Sequence, residues 1–171
     1  MEDKDVRRSD REITAIPEIL DIVEEAKVLH LGLFDGEYPY VIPLHYGYEY
    51  TDNTLVFYVH GAKEGHKIEL IHANQNVCVE LECNMEIVSG GDVPCKYGAS
   101  YASVIGRGKI EIVKDVQEKI QGLNCIMKNQ TGREFPINAQ MAQPVEVMKI
   151  TINGFTAKSR KKPEPKYKSS L

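Results

Sequence analysis

The chain has no tryptophan and no cysteine pair at CxxC spacing. Its cysteines, Cys78, Cys83, Cys95 and Cys125, are scattered, which excludes a zinc-ribbon arrangement and fits reduced thiols. Cys83 and Cys95 flank a loop, the one place where a redox or intermolecular role stays open. His60, His66 and His72 are too unevenly placed for a metal site, and no nucleophilic triad can be assembled. No apolar run approaches a membrane span, and the charged opening Met1-Glu-Asp-Lys-Asp5 is unlike a secretory leader, so a cytoplasmic location is expected. The net charge of -4 argues against a general nucleic-acid surface. There is no Walker loop, no dinucleotide glycine fingerprint and no internal repeat.

What is present suffices for one domain. A chain of 171 residues, 42% hydrophobic and 27% charged, can bury a real core. Composition divides it into a flexible arm over 1–12, a domain over 13–158 and a basic disordered tail over 159–171. The domain is organised around one stretch. Leu55-Val-Phe-Tyr-Val59 reads as a strand buried on both faces, and it runs into a turn holding Gly61, Ala62 and Gly65. A helix follows with Ile68 and Ile71 on one face and Asn74 as its stop. The first amides of a helix lack internal partners and carry the positive end of its dipole. His66 and Lys67 sit there, which suggests a phosphate site with a planar ligand across the adjoining strands.

Elsewhere the pattern is mostly strand and turn. Thr14 is a possible cap for a helix with Ile16, Ile19, Leu20 and Val23 at helical spacing and Pro17 in its first turn. A strand over 28–33 leads into the hairpin signal Phe34-Asp35-Gly36-Glu37. The return strand carries Pro39 and Pro43, each lacking a ladder donor, so it should lie at an edge, carry a bulge or face a ligand. Tyr46, Tyr48 and Tyr50 share one of its faces, and Thr51-Asp52-Asn53 is a second tight turn. Val77, Val79, Leu81 and Cys83 mark another strand, and 84–97 reads as a surface loop. The long strand over 99–113 holds Gly106 and Gly108, which call for a bulge, a bend or a close ligand. A helix over 115–128, with Ile120, Leu123 and Met127 inward, stops at Thr131-Gly132. A helical turn over 138–142 and a last strand over 145–152 complete the series. At least six short strands joined by hairpins predict a mainly β fold, an antiparallel barrel with flanking helices.

Three strings carry a family resemblance: Tyr38-Pro-Tyr-Val-Ile-Pro-Leu44, Phe57-Tyr-Val-His-Gly-Ala-Lys-Glu-Gly-His-Lys67 and Ala102-Ser-Val-Ile-Gly-Arg-Gly108. With Arg7-Arg-Ser-Asp-Arg11 and Met127-Lys-Asn-Gln-Thr-Gly132, they resemble the pyridoxamine-phosphate-oxidase-like split-barrel flavoproteins, nearest the 5-nitroimidazole-resistance group. The resemblance implies a six-stranded split barrel, a homodimer and two FMN molecules at the subunit interface. It implies that Lys67 and His66 hold the phosphate, with Gly65 in the turn before them. Ile42, Pro43 and Leu44 would line the flavin ring with His45 near its polar edge. His60, Gly61 and Ala62 would pass close to ring and ribityl chain, and Tyr101 and Ser103 would reach the ribityl or phosphate end.

Two departures bear on function. Where pyridoxamine phosphate oxidases carry an arginine this chain has His66, and Phe155-Thr-Ala-Lys-Ser-Arg160 lacks their C-terminal arginine–histidine element. Vitamin B6 oxidation is therefore not expected, and FAD stays possible beside FMN. The expected activity is reduction of small acceptors such as nitroimidazoles and other nitroaromatics by a flavin-dependent oxidoreductase, with His60 as proton donor or substrate contact. The alternatives are a non-enzymatic flavin module (redox sensor, flavin store or electron carrier) and a haem-binding barrel. His30 and His72 are read as structural or surface residues.

Overall fold

A computed structural model describes residues 6–161. The flexible arm expected over 1–5 and the basic tail expected over 162–171 lie outside the described residues. The elements are β1 (Glu12–Ile13), α1 (Ile16–Glu25), β2 (Val28–Asp35), β3 (Tyr38–Thr51), β4 (Thr54–Gly61), α2 (His66–Ala73), β5 (Asn76–Val88), β6 (Gly98–Ile112), α3 (Val116–Thr131), α4 (Ala139–Ala142) and β7 (Glu146–Arg160). All strand pairs are antiparallel, in the order β1-β7-β4-β3-β2-β5-β6, and β6 also pairs with β7. Six strands thus close into a ring, and β1 is attached at its rim. The expected split barrel is the observed fold.

The interior is aliphatic, as the alternating strands require. Leu29, Leu31, Leu81, Phe57, Val59, Ile110 and Ile150 fill it, and α1 plugs it with Ile19, Ile22 and Val23. Tyr46 is the largest fully buried side chain, edge-on to Phe57 at 5.2 Å between ring centroids. Its hydroxyl donates to the carbonyls of Val23 (2.6 Å) and Ala26, tying β3 to the end of α1. We expect Tyr46→Phe to cost about 1–3 kcal/mol in urea unfolding, because two buried carbonyls lose their donor.

Glycine lets α3 lie against the sheet. A Cβ on Gly47 would run into the backbone of Cys125 and Ile126, and one on Gly122 would stand 2.8 Å from the Tyr58 ring. Asp115 caps this helix by accepting from the Glu118 amide (2.9 Å), and Gly132 ends it at φ 69°.

Several boundaries differ from those read in the sequence. The last strand continues past Ile152 to Arg160, so Ser159 and Arg160 belong to β7 and not to the tail. The strand read in the sequence ends at Ile152, yet β6 slips register at Arg107/Gly108 and pairs on beyond it. A Cβ on Gly108 would meet the Thr151 carbonyl, so of the three reasons for a strand glycine the bulge is the one that applies. Likewise β5 runs to Val88 across an irregularity between Cys83 and Glu86, where Asn84 takes a φ of 57° and the alternation breaks. The proposed arm is built in part into the fold: Glu12 and Ile13 pair with Lys158 and Ala157, and Val6 is buried. Ala15, not Thr14, is the N-cap of α1 and makes no side-chain cap bond. On α3 the most buried residues are Gly122 and Ile126, with Ile120, Leu123 and Met127 only half-buried.

All four cysteines are free. Burial pushes the Cys125 thiol up to about 11, and it donates to the Tyr48 carbonyl at 3.2 Å. Among the described residues no cluster of three potential metal ligands occurs, and no helix is long and apolar enough to cross a membrane.

Candidate functional site

The site begins where the barrel opens. β2 pairs with β3 from Tyr38 to His45, but β4 pairs with β3 only from Tyr46 to Thr51. The second edge of β3 over 38–45 therefore faces a gap. Pro39 and Pro43 lie in that stretch, as expected for an edge. β4 ends at Gly61, and the chain crosses to α2 through a turn ending at Gly65, whose φ of 117° favours glycine.

His66 and Lys67 open α2, and no side chain caps that end. The two cations are in different situations. The Lys67 ammonium packs over Gly61, where a Cβ would collide with Nζ. Burial lowers the Lys67 pKa, and among the described residues the side chain forms no ion pair. The carboxylate opposite Gly61 across the ladder is Glu146, and Lys119 already holds it at 2.7 Å. His60, at the end of β4, has its pKa lowered by partial desolvation and then by the charges of Lys67 and His45. His45 donates from Nδ1 to the Lys27 carbonyl (3.1 Å) and so directs Nε2 elsewhere. Lys67, His60 and His45 thus gather near the gap, and among the described residues none of the three forms an ion pair.

His66 is already occupied. Its Nε2 contacts Asp35 Oδ2 at 2.7 Å, its Nδ1 lies 3.6 Å from Glu69, and its ring stands edge-on to Tyr40 at 5.1 Å. The hydrogen bond to Asp35 is the main cause of its raised pKa. The protonated form is the stabilised one. The ion pair's contribution to stability is therefore complete below the ordinary imidazole pKa of about 6.5, and it fades as pH rises through the higher folded value. An NMR titration should place the His66 midpoint above that value in the wild type, and Asp35→Asn should bring it back down.

The other candidates divide by position. Ile42 and Leu44 point inward against the core, whereas Pro43 is exposed on the outer face opposite His30. Pro43 therefore does not share a face with Ile42 and Leu44; what the three share is the open backbone edge. Ala62 is exposed in the turn. Tyr101 and Ser103 on β6 pair with Arg160 and Lys158 at one end of β7, whereas Gly61, next to Lys67, pairs with Glu146 at the other, so one chain does not bring them to Lys67. Arg11 donates to the Tyr101 hydroxyl at 3.4 Å. His30 contacts Glu80 at 3.1 Å and His72 is exposed. Sequence reasoning missed Asp35 as the partner of His66; its Asp-Gly signal points only to a turn.

An antiparallel six-strand ring with one open edge, and a lysine without an ion pair among the described residues at the helix start beside it, defines a split barrel. Residues 16–159 match the family profile described as Pyridoxamine 5'-phosphate oxidase, and the chain belongs to that family. Among solved structures it is similar to a candidate 5-nitroimidazole antibiotic resistance protein from Bacteroides thetaiotaomicron, with 32% identity over 86% of each chain and a TM-score of 0.74. A flavocytochrome from Azotobacter vinelandii shares the fold at 18% identity, over 92% of this chain and 73% of its own, with a TM-score of 0.73. So does a FAD-binding protein from Mesorhizobium loti, at 22% identity over 88% and 98% of the two chains and a TM-score of 0.60. No curated protein matches the chain.

Proposed function

We propose that this protein binds a flavin, as FMN or as the FMN portion of FAD, and reduces small acceptors such as nitroaromatics. The observation that carries the reading is Lys67: a half-buried ammonium over Gly61, without an ion pair among the described residues, beside an open strand edge. Such a charge is best satisfied by an anion that arrives with a ligand. The residues fit the group. Lys67 and the free amides at the start of α2 would hold the phosphate, with His66 beside them though shared with Asp35. The open edge of β3 and the short side chains at Gly61 and Ala62 leave room for a flat ring. Two groups proposed for the ribityl end, Tyr101 and Ser103, lie toward the far end of β7 from Lys67. That separation supports a homodimer in which a second copy supplies them.

A bound flavin supplies reversible two-electron, two-proton transfer between a reduced donor and an acceptor. The protein's own part is position and proton control. His60 is exposed at the end of β4, and partial desolvation together with Lys67 and His45 holds it toward its neutral form. That suits it to contact an acceptor or take a proton at neutral pH better than to donate one as imidazolium. His60→Ala should therefore retain flavin and reduce a nitroimidazole about 10²-fold more slowly, the lower end for a positioned proton-transfer group. An unaltered rate would leave His60 a rim residue.

The test of the whole reading is the absorbance spectrum of purified protein, with released ligand identified by mass. Flavin bands that bleach with a nicotinamide donor and return with a nitroimidazole support the reductase. Bands that never bleach leave a carrier, and a colourless protein that takes up no added flavin removes the proposal.

A further inference from the structure

Gly61 and Glu146 stand directly opposite each other in the β4–β7 ladder. Opposed residues of an antiparallel pair send their side chains to the same face, with Cβ atoms about 5 Å apart. The Lys67 ammonium occupies the place that a Gly61 Cβ would take. It is therefore about one cross-strand spacing from the Cβ of Glu146, whose carboxylate carbon lies two bonds further out. Gly61 has no side chain to separate the two. A carboxylate there is a natural partner for a half-buried ammonium. Yet among the described residues Lys67 forms no ion pair, and burial is the cause of its lowered pKa.

The reason lies on α3. Lys119 reaches Glu146 Oε1 at 2.7 Å, with only 14% and 19% of the two side chains exposed. Lys119 is fixed in turn by the start of its helix. Asp115 caps that end, and Gly122, one turn on, lets the helix lie against Tyr58 and against Val147, the neighbour of Glu146. A second ion pair joins the same turn to the same strand with the charges reversed, Glu118 on the helix and Lys149 on β7, at 2.8 Å. Both pairs clamp α3 to β7, but only the first occupies a carboxylate opposite Gly61.

We infer that Lys119 is a positioning residue of the anion site: by holding Glu146 it keeps that carboxylate off Lys67 and leaves the Lys67 ammonium free for a phosphate. The identity of the ligand that brings the phosphate rests on the flavin reading above; the arrangement of Lys119, Glu146 and Lys67 does not. Without Lys119, Glu146 would be a poorly solvated carboxylate with Lys67 as the cation across the ladder, and pairing the two satisfies both. An incoming phosphate would then have to displace a carboxylate already in place. The charge balance moves the same way. Two lysines and one glutamate leave the group one net positive charge, and loss of Lys119 leaves it none.

The test is FMN and riboflavin affinity, measured on the full chain by fluorescence titration. Lys119→Met should weaken FMN about tenfold or more, the scale of one charge-assisted hydrogen bond, and leave riboflavin, which has no phosphate, as in the wild type. Adding Glu146→Gln removes the competing carboxylate, so Lys119→Met/Glu146→Gln should recover FMN affinity to within about twofold of wild type. Lys149→Met breaks the other clamp of the same helical turn and should leave FMN binding unchanged. Unchanged FMN affinity in Lys119→Met, or a loss that persists in the double variant, overturns the inference. So does an equal loss in Lys149→Met, which would make Lys119 a clamp only. A flavin-free reading separates this from the flavin assignment. In an NMR titration of the ligand-free protein, the Lys67 side chain should titrate at higher pH in Lys119→Met than in wild type, because a paired carboxylate favours the charged form. Coinciding midpoints would overturn the inference even if no flavin binds, and a rise without flavin binding would support it and remove the flavin reading alone.

Discussion

Lys67→Ala should empty the flavin site while the barrel stays folded. The ammonium is expected to make charge-assisted hydrogen bonds to phosphate, each worth about 1.5–3 kcal/mol, which corresponds to roughly 10- to 150-fold in affinity. Little else depends on it. Lys67 has no ion pair among the described residues, and its neighbour Gly61 presents no side chain that would be left unsupported. Because burial depresses its pKa, removing the charge also relieves a desolvation cost in the ligand-free protein. The flavin-to-protein ratio after gel filtration should fall sharply, with the far-ultraviolet circular dichroism unchanged. Lys67→Arg should restore part of the occupancy, since the charge is kept and only its reach differs. Full occupancy in Lys67→Ala would remove the phosphate assignment from α2.

The largest effect on stability is expected at Gly47. A methyl group there would overlap the backbone of Cys125 and Ile126, and backbone cannot rotate away as a side chain can. α3 would have to lift off the sheet, taking with it the contact of the Cys125 thiol with the Tyr48 carbonyl and the Asn129 amide with the Tyr46 carbonyl. A cost of about 3 kcal/mol or more is expected for overpacking of this kind. Gly122→Ala should cost less. Its Cβ meets side chains, the Tyr58 ring at 2.8 Å and Val147 at 3.0 Å, which can give by a few tenths of an ångström. Urea midpoints in the order wild type, Gly122→Ala, Gly47→Ala would bear this out; equal midpoints would mean that α3 adjusts freely.

Neither glycine is conspicuous in the sequence. Gly47 sits in a tyrosine-rich strand and Gly122 in a helix, and close approach of a helix to a sheet leaves no local pattern. What could be read was local. Asp35-Gly36 and Asp52-Asn53 announce their hairpins because positive φ favours those residues, and the structure shows it at Gly36, Asp52 and Asn53. The strand read over 55–59 was legible from its β-branched and aromatic run, and the start of α2 from the glycine turn and the spacing of Ile68 and Ile71. The extensions of β5 and β7 were not, because a bulge shifts the alternation by one residue and makes continuing strand look like loop. At the site, Gly61 and Lys67 could be named from type and spacing. The engagement of His66 by Asp35 could not, since it joins residues 31 apart through the register of the fold.

The open edge of β3 has a consequence before any ligand arrives. A strand with unpaired amides and carbonyls is a template on which another chain can add, and a barrel that waits for its ligand presents one throughout synthesis and folding. Pro39 and Pro43 remove donors from that template at two places along the exposed stretch. The same residues that leave the gap free for a flat ligand therefore also make it a poor site for a foreign strand. On this view the prolines guard the newly made protein against aggregation, and replacing them would harm the ligand-free form more than the loaded one.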